Sequence, residues 1–188
     1  MGPILSAGAI LVARHAPTAV RGVCYGQSDV PTVVDVDEAA KRLLIQVRRL
    51  ELGGGFVVWS SPWHRTRGPA ERVANELGAP LVIDPRLSEL AFGAWEGRSY
   101  AELQGEPAFT QWMLDWRRTA PPGGELLTDF LQRVQQWHAV VRRSGTTVLA
   151  ITHAGVIRAL RAELRCVNFD AVIGEAVEPL LIERMGTI

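Results

Sequence analysis

"AILVARHAPTAV" occupies residues 9–20, and the reading of its first half decides the fold. Five apolar residues run straight into Arg14 and His15, and Pro17 follows. A short apolar run closed by a turn signal reads as a buried strand. In open α/β sheets the chemistry sits outside the carboxyl ends of the strands, which is where Arg14 and His15 would stand. Taken alone, the stretch is more simply a core strand that finishes on two polar residues, so the rest of the chain has to decide.

Further runs of strand length recur: "FVVWS" (56–60), "PLVID" (80–84), "TVLAIT" (147–152) and "EPLLIER" (178–184). Helical patterns lie between them. "DVDEAAKRLLIQVRRLEL" (35–52) repeats apolar residues at Ala39, Leu43, Leu44, Val47 and Leu50, with Asp35 and Asp37 as candidate N-caps. "RTRGPAERVANELG" (65–78) ends on a helix-stopping glycine. "GELLTDFLQRVQQWHAVVRRSG" (124–145) is amphipathic and carries Arg142 and Arg143 in its last turn, which suits the helix dipole. "AGVIRALRAEL" follows the fourth strand. Strands alternating with helices predict an α/β domain with a largely parallel sheet. The Pro/Gly break "RRTAPPGGE" (117–125) reads as the end of an inserted helical cap.

A chain of 188 residues suffices for one domain with a real core. Lys+Arg and Asp+Glu each number 20, so a strongly basic surface is absent and a dedicated nucleic-acid binder is not expected. Cys24 and Cys166 lie far apart without a CxxC, which suggests a reducing compartment and two inert thiols. "GPILSAGAILVA" (2–13) lacks the basic flank of a signal peptide and is too short to span a bilayer. It reads as a leading segment plus the first strand, in a soluble cytoplasmic protein.

Two histidines end two strands: His15 after "LVAR" and His153 after "VLAIT". His153 opens a helix at Ala154 and Gly155, whose free N–H groups and partial positive charge favour an anion. Arg65, in "WSSPWHRT", again lies just past a strand. Three strand ends thus supply Arg, His, Arg and His, and guanidinium forks match phosphate oxygens, so a phosphate pocket is expected. "LSELAFGAWEGRSY" (87–100) adds Glu89 and Glu96. A carboxyl group beside an apolar wall can serve as a general acid, and the residues alone leave the choice between the two open. A histidine can act as nucleophile toward phosphorus. No HxH or HExxH spacing occurs, so no metal site is expected. His64 reads as a surface residue near the pocket rim and His138 as structural. Tyr25, Trp112 and Trp116 read as packing residues ahead of ligand platforms.

In order, "LVARHAPT", "SSPWHRTRGPAERVA", "LSELAFGAWEG", "PPGGE" and "AITHAGVIRAL" resemble the motifs of the histidine phosphatase superfamily, the phosphoglycerate-mutase-like family that includes acid phosphatases. The resemblance covers about residues 10–160. It implies a three-layer α/β/α sandwich with a mostly parallel central sheet, as a single domain over 1–188, with a small helical cap at about 98–124. It further implies metal-independent phosphomonoester hydrolysis through a phosphohistidine, with no cofactor. His15 would be the phosphorylated nucleophile. Arg14, Arg65 and His153 would bind the phosphoryl group with the helix start at Ala154. Thr18 would stand as a phosphate-side hydroxyl, and Glu89 would protonate the leaving oxygen.

Three departures stand out. Ala16 replaces the usual glycine after the nucleophile, where a methyl would crowd the phosphate-side backbone. Arg21 stands where asparagine is frequent. "GPA" (68–70) replaces "QTA", with Pro69 near a helix start. "GVCYGQSDVPT" (22–32) and "WMLDWRRTAPPGGE" (112–125) lean toward the α-ribazole phosphatases of cobalamin assembly. Arg21, Tyr25, Trp112 and Trp116 are then the candidate substrate contacts. The expected partner is a small phosphorylated metabolite, without nucleic acid or membrane, with a homodimer left open. The alternatives are a phosphoglycerate mutase and a non-catalytic phospho-ligand-binding protein.

Overall fold

The structure, a computed structural model, describes residues 8–50 and 55–187. Residues 1–7 of the leading segment lie outside the described residues. Five strands form one sheet: β1 (Ala9–Arg14), β2 (Phe56–Ser60), β3 (Leu81–Ile83), β4 (Thr147–Thr152) and β5 (Ile182–Thr187). Their order is β3-β2-β4-β1-β5. The first four are parallel, and β5 runs antiparallel along the outer edge of β1.

Side chains alternate across a strand, so a strand covered on both faces must be apolar at every position. β1 and β4 meet that requirement except at their ends, where Arg14, Thr147 and Thr152 stand. Ile10, Val12, Val148 and Ala150 face one core with Phe130, Val134, Trp137, Ile157 and Leu160. Leu11, Ala13, Leu149 and Ile151 face the other with Leu43, Val47, Ala70 and Val73. The first layer consists of α5 (Leu127–Ser144) and α6 (Ala154–Arg165) and the second of α1 (Val36–Arg49) and α2 (His64–Leu77). Helices on both faces of a mostly parallel sheet make the three-layer sandwich that the sequence predicts. Two short helices, α3 (Tyr100–Leu103) and α4 (Pro107–Asp115), gather around a smaller cluster of Cys24, Trp95, Leu103 and Phe109. No helix among the described residues is long and apolar enough to cross a membrane.

Several boundaries differ from those read in the sequence. The last strand begins at Ile182 rather than at residue 178. Pro179 has no N–H to give a ladder, and Leu180 takes a left-handed φ of 58°, so this segment makes only one isolated bridge to Arg14, whose carbonyl accepts from the Leu180 N–H at 2.9 Å, before the ladder begins. Asp35 caps α1 by accepting from the Glu38 N–H at 2.7 Å, whereas Asp37 lies in the first turn and pairs with Arg72. α2 starts at His64, so Pro69 sits inside it rather than near its start. Gly68 makes this tolerable, because a residue before proline is kept from the helical region partly by its own Cβ. A Cβ at Gly68 would also meet Val36 Cγ2 at 2.9 Å, so its absence lets α1 and α2 approach.

Candidate active site

β2, β4 and β1 are neighbours in the sheet, so their carboxyl ends open onto one place. Arg14 ends β1 and His15 follows, its N–H bonded to the Thr152 carbonyl at 3.0 Å. His153 follows β4 and is the N-cap residue of α6. Arg65 is the second residue of α2, just beyond β2. The two imidazole rings meet edge to face with centroids 5.1 Å apart. Together with Glu89 and Arg158, these side chains line the polar end of a cavity of about 530 Å³.

His15 is buried, and its Nδ1 lies 2.6 Å from the Ala16 carbonyl. A carbonyl can only accept, so Nδ1 carries the proton and Nε2 is left with its lone pair. Burial lowers the His15 pKa to about 3, against the effect of the Ala16 bond, and the Arg65 and Arg14 charges push the same way as burial. The ring is therefore neutral at pH 7. His153 is buried too, and burial, then His15 and Arg65, hold it well below the ordinary histidine range. Its Nε2 is 2.8 Å from Ser61 Oγ, and its Nδ1 faces Arg65 Nη2 at 3.4 Å.

The arginines are held from behind. Arg65 donates to the Ser28 carbonyl at 2.7 Å and to the Gly26 carbonyl at 2.6 Å. Gly26 must be glycine at this contact, since a Cβ would fall 1.8 Å from the Leu90 carbonyl oxygen. Arg14 donates to the Val177 carbonyl at 3.0 Å. The Nε groups of both arginines are buried without a partner. Unpaired buried N–H groups are costly, and these two belong to guanidinium groups that line the cavity, a setting that favours an anion.

The structure separates the two carboxylates. Glu89 lines the cavity, accepting from the Gly155 N–H at 2.9 Å and from its own neighbour Leu90 at 3.1 Å. Glu96 instead braces the loops, accepting from the N–H groups of Gln27 and Phe92 and from the Ser28 hydroxyl. Arg133 carries the backbone behind Glu89, donating to the carbonyls of Arg86, Ser88 and Glu89.

Of the remaining candidates, Ala154, Tyr25, Trp112 and Trp116 line the cavity. Trp112 also packs on Phe92, Trp95 and Phe109, and Trp116 packs on Phe169. Thr18 and Arg21 do not line it. The Thr18 hydroxyl is taken up by Tyr25 Oη at 2.5 Å and by the Val20 carbonyl. Arg21 is exposed, although Val20, Gly22 and Val23 on either side of it line the cavity. The Ala16 methyl is buried in the core beneath α1 and α2 and does not crowd the cavity. Arg158 is the cation missed in the sequence. It lies one helical turn after Gly155, and that spacing was the available signal. His64 is exposed and away from this cavity, and His138 is buried against Glu163 at 2.8 Å. Among the described residues no group of three or more His, Cys, Asp or Glu is arranged to hold a metal ion.

Known proteins resemble this chain in sequence and fold. The sequence profile of the histidine phosphatase superfamily (branch 1) matches residues 10–177. An adenosylcobalamin/α-ribazole phosphatase of Escherichia coli is 30% identical over 158 residues, which cover 80% of this chain and 76% of that protein. A bifunctional protein of Mycobacterium tuberculosis is 38% identical over 112 residues, covering 57% of this chain but only 30% of that much longer protein. The crystal structure of the α-ribazole phosphatase from Shigella flexneri superposes with a TM-score of 0.81 at 26% identity, covering 92% of this chain and 87% of that one.

Proposed function

The chain belongs to the histidine phosphatase superfamily, and on that premise we propose that it is a phosphomonoester hydrolase working through a phosphohistidine, with no metal in the chemistry. One observation carries the reading. His15 is a buried, neutral imidazole whose Nδ1 proton is committed to the Ala16 carbonyl, leaving the Nε2 lone pair beside two arginines.

In the first step His15 Nε2 attacks phosphorus, the P–O bond to the leaving group breaks, and Glu89 gives its proton to the departing oxygen. In the second, water attacks the phosphohistidine, the P–N bond breaks, and the Glu89 carboxylate takes the water proton. Arg14, Arg65, His153 and the N–H groups at the start of α6 hold the phosphoryl oxygens. Stabilising charge on those oxygens is the protein's main contribution in phosphoryl transfer. Residues 98–124 form a cap over this site within a single domain.

For the substrate we infer a nucleotide-like monophosphate, α-ribazole 5′-phosphate first, as the Escherichia coli and Shigella relatives are named for. The cavity walls fit: Phe92, Trp112, Trp116 and Phe169 offer rings to a base, each stack contributing about 1–3 kcal/mol. A sugar acid phosphate would need a further cation for its carboxylate. Arg158 supplies one, so phosphoglycerate is the second reading. A cytoplasmic setting is part of the proposal, consistent with two free cysteines.

The test is to quench turnover with strong base, in which a phosphohistidine survives, and to map the label. Acid-labile phosphate on His15 is expected, with His15→Ala inactive toward p-nitrophenyl phosphate. Label on His153 alone would overturn the assignment.

A further inference from the structure

Behind His153 runs a buried chain of hydroxyl groups that the steps above do not use. His153 Nε2 is 2.8 Å from Ser61 Oγ, which is 2.6 Å from Thr66 Oγ1. Thr66 Oγ1 in turn lies 2.9 Å from the Trp63 carbonyl and 3.2 Å from the Ser61 carbonyl. His153, Ser61 and Thr66 are each at most 1% exposed, so no bulk water intervenes.

The two ends of this chain orient the protons in it. Two carbonyl oxygens, which can only accept, lie within reach of Thr66 Oγ1, so its hydroxyl is set to donate outward, to Trp63 or Ser61. Its oxygen then has only lone pairs for the Ser61 side chain, and the Ser61 O–H donates to Thr66. Ser61 Oγ is thereby left as an acceptor, and His153 Nε2 must be the nitrogen that carries the proton. At the far end stands a guanidinium, which cannot accept. Arg65 Nη2 faces His153 Nδ1, so Nδ1 must be the bare nitrogen. Both ends demand the same order.

We propose that Thr66 is a positioning residue. Acting through Ser61, it fixes the tautomer of His153, with the proton on Nε2 and the Nδ1 lone pair turned to Arg65. The consequence lies in the liganded site. When a phosphoryl group takes over the Arg65 N–H groups, Nδ1 can pick up a proton and donate it to a phosphoryl oxygen while nothing behind it rotates. Ser61 already accepts at Nε2 and continues to. Without the Thr66 hydroxyl, Ser61 is free to turn its own proton toward Nε2, which places the histidine proton on Nδ1, against Arg65. The charged and titratable groups around His153 are His15, Arg65, Arg133 and Arg14; of these only Arg65 meets a ring nitrogen, and its 3.4 Å contact at Nδ1 is longer than the 2.8 Å contact of Ser61 at Nε2, so Ser61, directed by Thr66, dominates.

The proposal rests on the phosphatase reading for its consequence but not for its geometry, and the test separates the two. Nitrogen-15 NMR of the free protein, with the ring signals assigned through His153→Gln, reports which nitrogen of His153 is protonated. Wild type should show the Nε2–H tautomer. Thr66→Val keeps the shape without the hydroxyl, and it should show a mixed or Nδ1–H tautomer. The kcat toward p-nitrophenyl phosphate should fall about tenfold while KM stays within about twofold, and Thr66→Ser should restore both readouts. Ser61→Ala, which removes the acceptor itself, should do at least as much as Thr66→Val and serves if the valine variant misfolds. An unchanged tautomer in both variants, or a serine variant as impaired as the valine one, overturns the proposal. A wild type with the expected tautomer but no hydrolysis overturns the phosphatase reading and leaves the proton order standing.

Discussion

The helix residue Gly155 gives the sharpest test of the proton donor. Its N–H holds Glu89 at 2.9 Å, and a Cβ built there would fall 2.0 Å from Glu89 Oε1 and 2.9 Å from Cδ. In Gly155→Ala that contact must open to ordinary van der Waals distance, at least 3.4 Å, so the carboxyl group has to move by roughly 1.4 Å. Stability should change little. Alanine gains about 1 kcal/mol over glycine in a helix, and the lost hydrogen bond to the carboxylate costs about 1.5–3 kcal/mol. The net loss is then about 0.5–2 kcal/mol, or a few degrees in Tm for a chain of this size. Activity should respond far more. Displacing a reacting group by about 1 Å can cost about 100-fold, and general acid catalysis as a whole contributes about 10²–10⁴-fold. The assay compares kcat for an alkyl monophosphate, whose leaving oxygen needs a proton, with kcat for p-nitrophenyl phosphate, whose leaving group hardly does. The alkyl ester should lose about 100-fold and the nitrophenyl ester only a few-fold. Equal losses on both substrates, or full alkyl ester activity in the variant, would refute Glu89 as the donor held by Gly155.

The buried histidines make stability depend on acid. His15 has a folded-state pKa of about 3 against 6.5 in the unfolded chain, and His153 is lowered in the same direction. Below pH 6.5 the unfolded chain binds a proton that the folded site refuses. Stability present above pH 6.5 is therefore lost as the pH falls toward 3, by up to about 1.4 kcal/mol per pH unit for each group. Urea unfolding at pH 7 and pH 5 should show this loss, with a smaller one in His15→Gln; parallel losses would remove His15 from the account. On substrate choice, kcat/KM for α-ribazole 5′-phosphate should exceed that for 3-phosphoglycerate by at least about tenfold, which is roughly 1.4 kcal/mol in transition-state binding. Trp116→Ala should narrow that ratio and Arg158→Met should widen it, while p-nitrophenyl phosphate hydrolysis is nearly retained in the tryptophan variant. A ratio that favours 3-phosphoglycerate in wild type would move the substrate claim to the sugar acids.

What the sequence disclosed, and what it hid, follows from how each position is determined. Strands alternating with helices made the largely parallel sheet legible, and the family resemblance implied the sandwich; the apolar residues at successive positions of β1 and β4 are what coverage on both faces requires. Arg14, His15 and His153 were legible for the same reason, since each adjoins the end of a strand whose direction is already known, and Arg65 follows within one helical turn. The choice between Glu89 and Glu96 was not local. Both lie in one loop of similar composition, and what separates them is an N–H at Gly155, 66 residues further on. Thr18 and Arg21 do not line the cavity although Val20, Gly22 and Val23 of the same loop do, and the Thr18 bond to Tyr25 is a contact invisible in the sequence. Arg158 escaped for the opposite reason. Its spacing from Gly155 is regular, but a helix has several faces, and only the packing of α6 against the sheet through Val156, Ile157 and Leu160 decides that Arg158 turns to the cavity. Thr66 is the extreme case: as one hydroxyl among many it carries no signal. Its significance exists only once the Trp63 carbonyl has been brought within hydrogen-bond reach of Thr66, Thr66 of Ser61, Ser61 of His153 Nε2 and Arg65 of His153 Nδ1, so that each leaves the next a direction in which to give its proton.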